Sequence, residues 1–256
     1  AKEREVIIEE IKMYEDTPDD LVQDLLSANL WPNHPLGRAI LGTEESIAAF
    51  DHDKLKAYMK QYYTGSNIVV SAVGNISHAQ VVQAIRATLG GIPRGARNEF
   101  PQAGKALAGI HCYRKEIAQS QICVAYSVYS YNGSYSDTGA FVISVGTRPE
   151  NCQQVIDIII EELDEIRQNG IPQEELEKSF SQLKGGLFMG LETVNSRMNK
   201  LGRSLLAYDR VITPEENVDE LRKVTGADVQ KLAEELFQRD NYQVTVLGAV
   251  DDIRLN

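Results

Sequence analysis

The chain has 256 residues, of which 43% are hydrophobic and 25% charged, and a formal net charge of −11. That is the make-up of a soluble globular protein long enough for two ordinary domains or one large one. The acidity excludes nucleic acid as the main partner, since phosphate binding needs a basic face, and no apolar run approaches the roughly 20 residues that span a bilayer. A first helix is predicted over Lys2 to Met13. Wound up, it gathers Val6, Ile7, Ile11, Met13 and Tyr14 on one side and Glu5, Glu9 and Lys12 on the other. Glu3 and Glu10, seven residues apart, stack ~20° from one another along the middle of the apolar side. A carboxylate buried there needs an ion partner, hydrogen bonds or a metal. The alternative is that Glu3 sits in the first turn, favoured by the helix dipole, and Glu10 reaches past its neighbours to water.

Thr17-Pro18-Asp19-Asp20 opens a second helix carrying Leu21, Val22, Leu25 and Leu26, and a Pro- and Gly-rich loop follows from Trp31 to Arg38. Short helices are predicted near Glu44 to Phe50 and from Asp53 to Tyr63. Ile68 to Val73 is β-branched and apolar, ends at Gly74, and reads as a strand. Ser77-His78 starts another helix that stops near Gly90-Gly91. Gly90 to Gly104, dense in Gly and Pro, is the best linker. Ile110 to Tyr113 and Ala118 to Tyr131 look extended, Asn132-Gly133 is a hairpin signal, and Thr138 to Val145 returns as a strand. Helices dominate from Glu150 to Phe237, and Gln243 to Leu247 is the last strand.

One pattern occurs twice. A helix led by Asp53 precedes Asn67, an apolar run, Gly74 and Ile76; a helix led by Asp228 precedes Asn241, an apolar run, Gly248 and Val250. With the linker between them, the two copies predict an α+β fold of two similar halves, each a mainly antiparallel sheet covered by helices. The halves are placed at 1–98 and 99–256. Cys112, Cys123 and Cys152 are odd in number and too far apart for a Cys-x-x-Cys site, so a reduced compartment and thiols acting as small core residues are expected. No signal-peptide core precedes the first helix, and the abrupt start without Met reads as a fragment or a processed chain. Phosphate-loop and nucleophile-elbow motifs are absent. His34, His52, His78 and His111 are scattered, as caps, loop or surface residues would be.

The segment Glu3 to Met13 resembles the one that supplies the third zinc ligand in insulinase/pitrilysin-type metallopeptidases, and it is most similar to bacterial relatives of the mitochondrial processing peptidase β subunit. Further stretches agree in order: Glu15 to Asp20, His34 to Arg38, Ile40 to Glu44, Val73 to Ile76, Ala125 to Tyr131, Tyr135 to Gly139 and Leu191 to Met198. The resemblance implies a zinc-dependent endopeptidase that cleaves peptides or unfolded segments by a zinc-activated water. It implies Glu10 as zinc ligand, Glu3 as a carboxylate that orients a ligand or tunes the metal, and Tyr126 near the substrate. It further implies a homodimer in a bacterial cytoplasm, while charge and hydropathy point to no nucleic-acid or membrane partner. The alternative is a non-catalytic scaffold or partner subunit of the same fold.

Two departures from the family pattern matter. The His-x-x-Glu-His helix, with two zinc ligands and the general base, should lie upstream of Ala1. Val124 also runs straight into Ala125, where the family carries about forty more residues with a helix and an arginine. Because a lost core helix should wreck the half, we expect that residues have been left out there, so that Val124 and Ala125 are not true neighbours.

Overall fold

The computed structural model describes residues 2–97, 99, 101–104, 106–128, 138–238, 240–250 and 252–254. In chain order its elements are α1 (Lys2–Glu15), α2 (Pro18–Leu30), α3 (Glu44–Ala48), α4 (His52–Tyr62), α5 (His78–Leu89), β1 (Gly109–Arg114), β2 (Ser120–Val128), β3 (Gly139–Thr147), α6 (Cys152–Asn169), α7 (Gln173–Met189), α8 (Val194–Tyr208), α9 (Pro214–Leu221), α10 (Gly226–Leu236) and β4 (Tyr242–Gly248). The Asn132-Gly133 turn lies outside the described residues.

The elements group into two compact units. The first comprises Ala1–Phe50, Pro101–Gly170 and Ala227–Asn256, the second Asp51–Phe100 and Ile171–Gly226. These units differ from the expected division at 98/99. Each draws on both sides of the linker, because compactness follows which faces bury one another rather than sequence order.

The first unit holds a four-stranded mixed sheet in the order β1-β4-β2-β3. β2 runs antiparallel to both β3 and β4, and β1 lies parallel to β4. Both faces of the central strands are covered, so β2 from Ile122 to Tyr126 and β4 from Gln243 to Gly248 are buried without alternation. On one face Ile122, Val124, Tyr126, Val244 and Val246 pack with Ile156 and Leu163 of α6 and with Ala233 and Phe237 at the end of α10. On the other, Cys123, Ala125 and Leu247 meet Val22, Leu26 and Leu30 of α2 and Trp31. Each fully buried Val or Ile contributes about 1.5–3 kcal/mol. α2 is also clipped to the sheet by polar groups. Asn29 donates to Thr245 Oγ1 at 3.0 Å and accepts from the Tyr113 hydroxyl at 2.9 Å, and Gln23 donates to Ser144 Oγ at 2.8 Å.

The second unit is helical. Ser77 caps α5 in a box with Gln80, Thr193 caps α8 and Thr213 caps α9, each hydroxyl satisfying a free N–H of the first turn. The Ser71 hydroxyl donates to the Met198 carbonyl at 2.7 Å, and Arg97 bridges both oxygens of Asp209 at 2.9 and 3.1 Å. Ile68 to Val73, expected as a strand, enters no ladder among the described residues. A strand needs a neighbour for its N–H and C=O groups, and no described segment pairs with this one. The α+β class therefore holds, with one sheet rather than two among the described residues.

Candidate functional site

α1 turns an apolar strip toward α2 and α3. Ile11 is buried at 6% exposure, and Ile7, Ile8 and Tyr14 are half-buried around it. Val6 and Met13, expected on the same side, stay 51% and 67% exposed. Glu3 and Glu10 are exposed with them. The four residues Glu3, Val6, Glu10 and Met13 thus form one open stripe at helical spacing, beside the buried strip rather than within it. The wheel alone joined the two strips, because it cannot tell which part of a wide apolar arc a neighbour will cover. Among the described residues neither carboxylate has an ion-pair or hydrogen-bond partner, whereas Glu9 pairs with Lys12 at 3.1 Å and Arg4 donates to the Phe50 carbonyl.

Tyr126 lies elsewhere. It is 2% exposed in the core beside β4, its ring edge-on to Phe237 and Tyr242 at centroid distances of 5.1 and 5.9 Å. From that position it meets the aromatic rings of Phe237 and Tyr242. Its facing is fixed by the run of β2: the even-numbered Ile122, Val124 and Tyr126 look to α6 and α10, and the odd-numbered Cys123 and Ala125 look to α2. A shift of one residue would turn Tyr126 to the opposite face.

The junction before it is unbroken. Val124 pairs with Ile143 and Val244, and Ala125 with Val142 and Gln243, in one continuous register. Val124 and Ala125 thus lie side by side in a single strand.

A zinc site would require three ligating side chains and an open position. Among the described residues no group of three His, Cys, Asp or Glu side chains gathers at one point. The described residues therefore do not by themselves fit a catalytic zinc. His34 serves the backbone instead: its Nδ1 accepts from the Leu36 N–H at 3.3 Å, and its other ring nitrogen lies 3.2 Å from the Pro101 carbonyl. The three cysteines are free, and burial pushes the thiol of each above its ordinary value, as befits core residues.

The sequence reading missed one feature. α8 carries Arg197, Lys200 and Arg203 at three-residue spacing and no Asp or Glu, in a chain with an excess of acids. That contrast was a readable signal.

The model of the peptidase M16 inactive domain matches this chain over residues 49–124 and 109–183. The chain belongs to the peptidase M16 family. The "uncharacterized zinc protease YmxG" of Bacillus subtilis is 34% identical over 279 aligned positions, covering 93% of this chain and 68% of that protein. "Uncharacterized zinc protease SCO5738" of Streptomyces coelicolor is 28% identical, covering 98% of this chain and 65% of its own length. The chain thus spans about two thirds of these M16 relatives. The 279 positions exceed the part of the 256-residue chain they cover by about forty, so this relative carries about forty residues without a counterpart here. Among solved structures, a chain of Complex III2 from Candida albicans superposes with a TM-score of 0.88 at 16% identity, over 97% of this chain and 71% of that one. A peptidase M16 inactive domain from Pseudomonas fluorescens gives 0.85 at 16% identity, over 99% and 71%. At these identities the two structures establish the M16 fold. No described helix is long and apolar enough to cross a membrane.

Proposed function

We propose that this chain is part of a zinc-dependent metalloendopeptidase acting on peptides or unfolded segments in a bacterial cytoplasm, with 1–98 and 99–256 as its two related half-domains. The observation that carries the reading is the open stripe on α1. Two carboxylates seven residues apart, beside exposed Val6 and Met13 and without partners among the described residues, are open to a cation held jointly with other polypeptide. The names of the bacterial relatives, zinc proteases, support zinc as that cation. Glu10 is assigned as one ligand and Glu3 as the carboxylate that orients the site; the remaining ligands and the general base belong to polypeptide that this chain does not contain. Tyr126 is assigned to the substrate side in a protein that carries the additional forty residues before it, and a homodimer is part of the same proposal. The test is zinc content of the full-length gene product by mass spectrometry, together with peptide hydrolysis. One zinc per chain, lost in Glu10→Gln and weakened in Glu3→Gln, is the expected result; undiminished zinc in Glu10→Gln overturns the assignment.

The description of the matched domain as inactive favours a second reading, a non-catalytic partner subunit of the same fold. It predicts a full-length protein that neither holds zinc nor cleaves peptides.

A further inference from the structure

The second unit contains a cleft of about 660 Å³ walled by α7, α8 and the segment leading into α9. That volume is in the range of small-molecule sites. Its wall divides by chemistry: Leu191 and Ile212 are apolar, Asn199 and Asn217 carry amides, and Lys200 and Arg203 are cationic. Lys178 pairs with Glu174 at 2.8 Å, Lys223 with Glu220 at 2.6 Å, Arg210 with Glu216 at 2.6 Å and Arg97 with Asp209 at 2.9 Å. Lys200 and Arg203 form no ion pair among the described residues. The Lys200 ammonium is shut away from solvent without a hydrogen bond, which is costly for a charged group. Burial lowers its pKa from the ordinary lysine value, and the charge of Glu215 only partly opposes that shift. α8 places the two cations one turn apart, so they project on the same side, and it carries no acid that could neutralise them.

We propose that this cleft binds an organic carboxylate with an apolar body, its charge held between Lys200 and Arg203, its apolar part against Leu191 and Ile212, and its remaining polar atoms by Asn199 and Asn217. A carboxylate is the complement because its two oxygens can take a fork of donors from a guanidinium together with a point charge from an ammonium. The lysine stem forms part of the wall, and rotation about its terminal bonds brings the ammonium to the entering anion. Two sources share this chemistry, the C-terminus of a short peptide and a short fatty acid. The site is independent of zinc and of the reading of α1.

The chain is titrated by calorimetry with octanoate and with N-acetyl-Ala-Leu, and in parallel with octanol and the amidated dipeptide as neutral counterparts. Binding of at least one carboxylate, with its neutral counterpart at least about tenfold weaker, is expected, because a hydrogen bond to a charged group is worth about 1.5–3 kcal/mol. Whichever carboxylate binds more tightly identifies the source. Lys200→Met, which keeps the stem and removes the charge, should weaken binding by about tenfold or more, and the exposed Arg203→Met by a smaller factor. Thermal melts of both variants check that the unit stays folded, and Arg203→Met keeps the test open if Lys200→Met does not fold. Equal affinity for carboxylate and neutral counterpart, no heat at millimolar ligand, or unchanged affinity in both folded variants overturns the proposal.

Discussion

The segments Asn67 to Ile76 and Asn241 to Val250 carry the same order of residue types, and they end in different structures. The second forms β4, at the centre of the sheet, with β1 on one side and β2 on the other. Its Val244 and Val246 are fully buried against α6 and α10, and α2 covers the opposite face of the strand. The first has no ladder partner among the described residues, and its Val69 and Val70 are exposed. Extended preference is local, but a strand is a property of a pair. β-branched residues bias φ and ψ toward the extended region in both segments, and only a neighbour that accepts the backbone hydrogen bonds turns that bias into sheet.

The contrast can be broken or sharpened by experiment. Hydrogen exchange gives the largest separation: the amides of Val244 and Val246 should open only with free energies approaching global unfolding, about 5–15 kcal/mol, and those of Ile68 to Val73 with values near zero. Equal protection of both segments would mean that the first has found a partner. Next, Val246→Asp buries a lone carboxylate and should cost more than about 4 kcal/mol in urea denaturation, whereas Val70→Asp should change stability by less than about 0.5 kcal/mol. A smaller effect is expected at the end of β4. A Cβ added at Gly248 would lie 2.0 Å from Ser120 Oγ, so Gly248→Ala should cost about 1–3 kcal/mol, with part of the loss recovered in a Ser120→Gly background.

The smallest effect lies in α2, which covers one face of β4. Burial, and secondarily the charge of Asp20, raise the Asp24 pKa above its ordinary value. The folded state then holds the proton more tightly than the unfolded chain does. Stability is greatest below the unfolded pKa and falls as pH rises through the window up to the folded pKa. Asp24→Asn should remove that fall, raising the melting temperature at pH 7 more than at pH 3, by an amount equivalent to less than about 0.5 kcal/mol because the side chain is partly in water. A melting temperature lowered more at pH 7 than at pH 3 would show the opposite sign.

Much of the fold was legible in the residues. The starts of α2, α3 and α5 follow from Thr17-Pro18, Thr43 and Ser77, and β1, β3 and β4 fall where β-branched and aromatic residues cluster. The site was less so. The helical spacing placed Glu3 and Glu10 on one line correctly, yet it also placed that line in the buried face, because a wheel carries no information about the width of the contact. Tyr126 could be matched by its neighbours in sequence, but its facing depends on strand register, and the run through Val124 and Ala125 turns it into the core. The pairing of Lys200 and Arg203 was readable as a basic helix in an acidic chain; that they line one cleft was not.

The residues alone determined the helices, the caps, the extended runs and the family, since these rest on local backbone preference and on ordered motifs. Tertiary structure decided which extended run became a strand, which part of the α1 apolar arc was covered, and which way Tyr126 faced. Each of those outcomes depends on what lies alongside a segment in space, and burial and hydrogen bonding are properties of the pair.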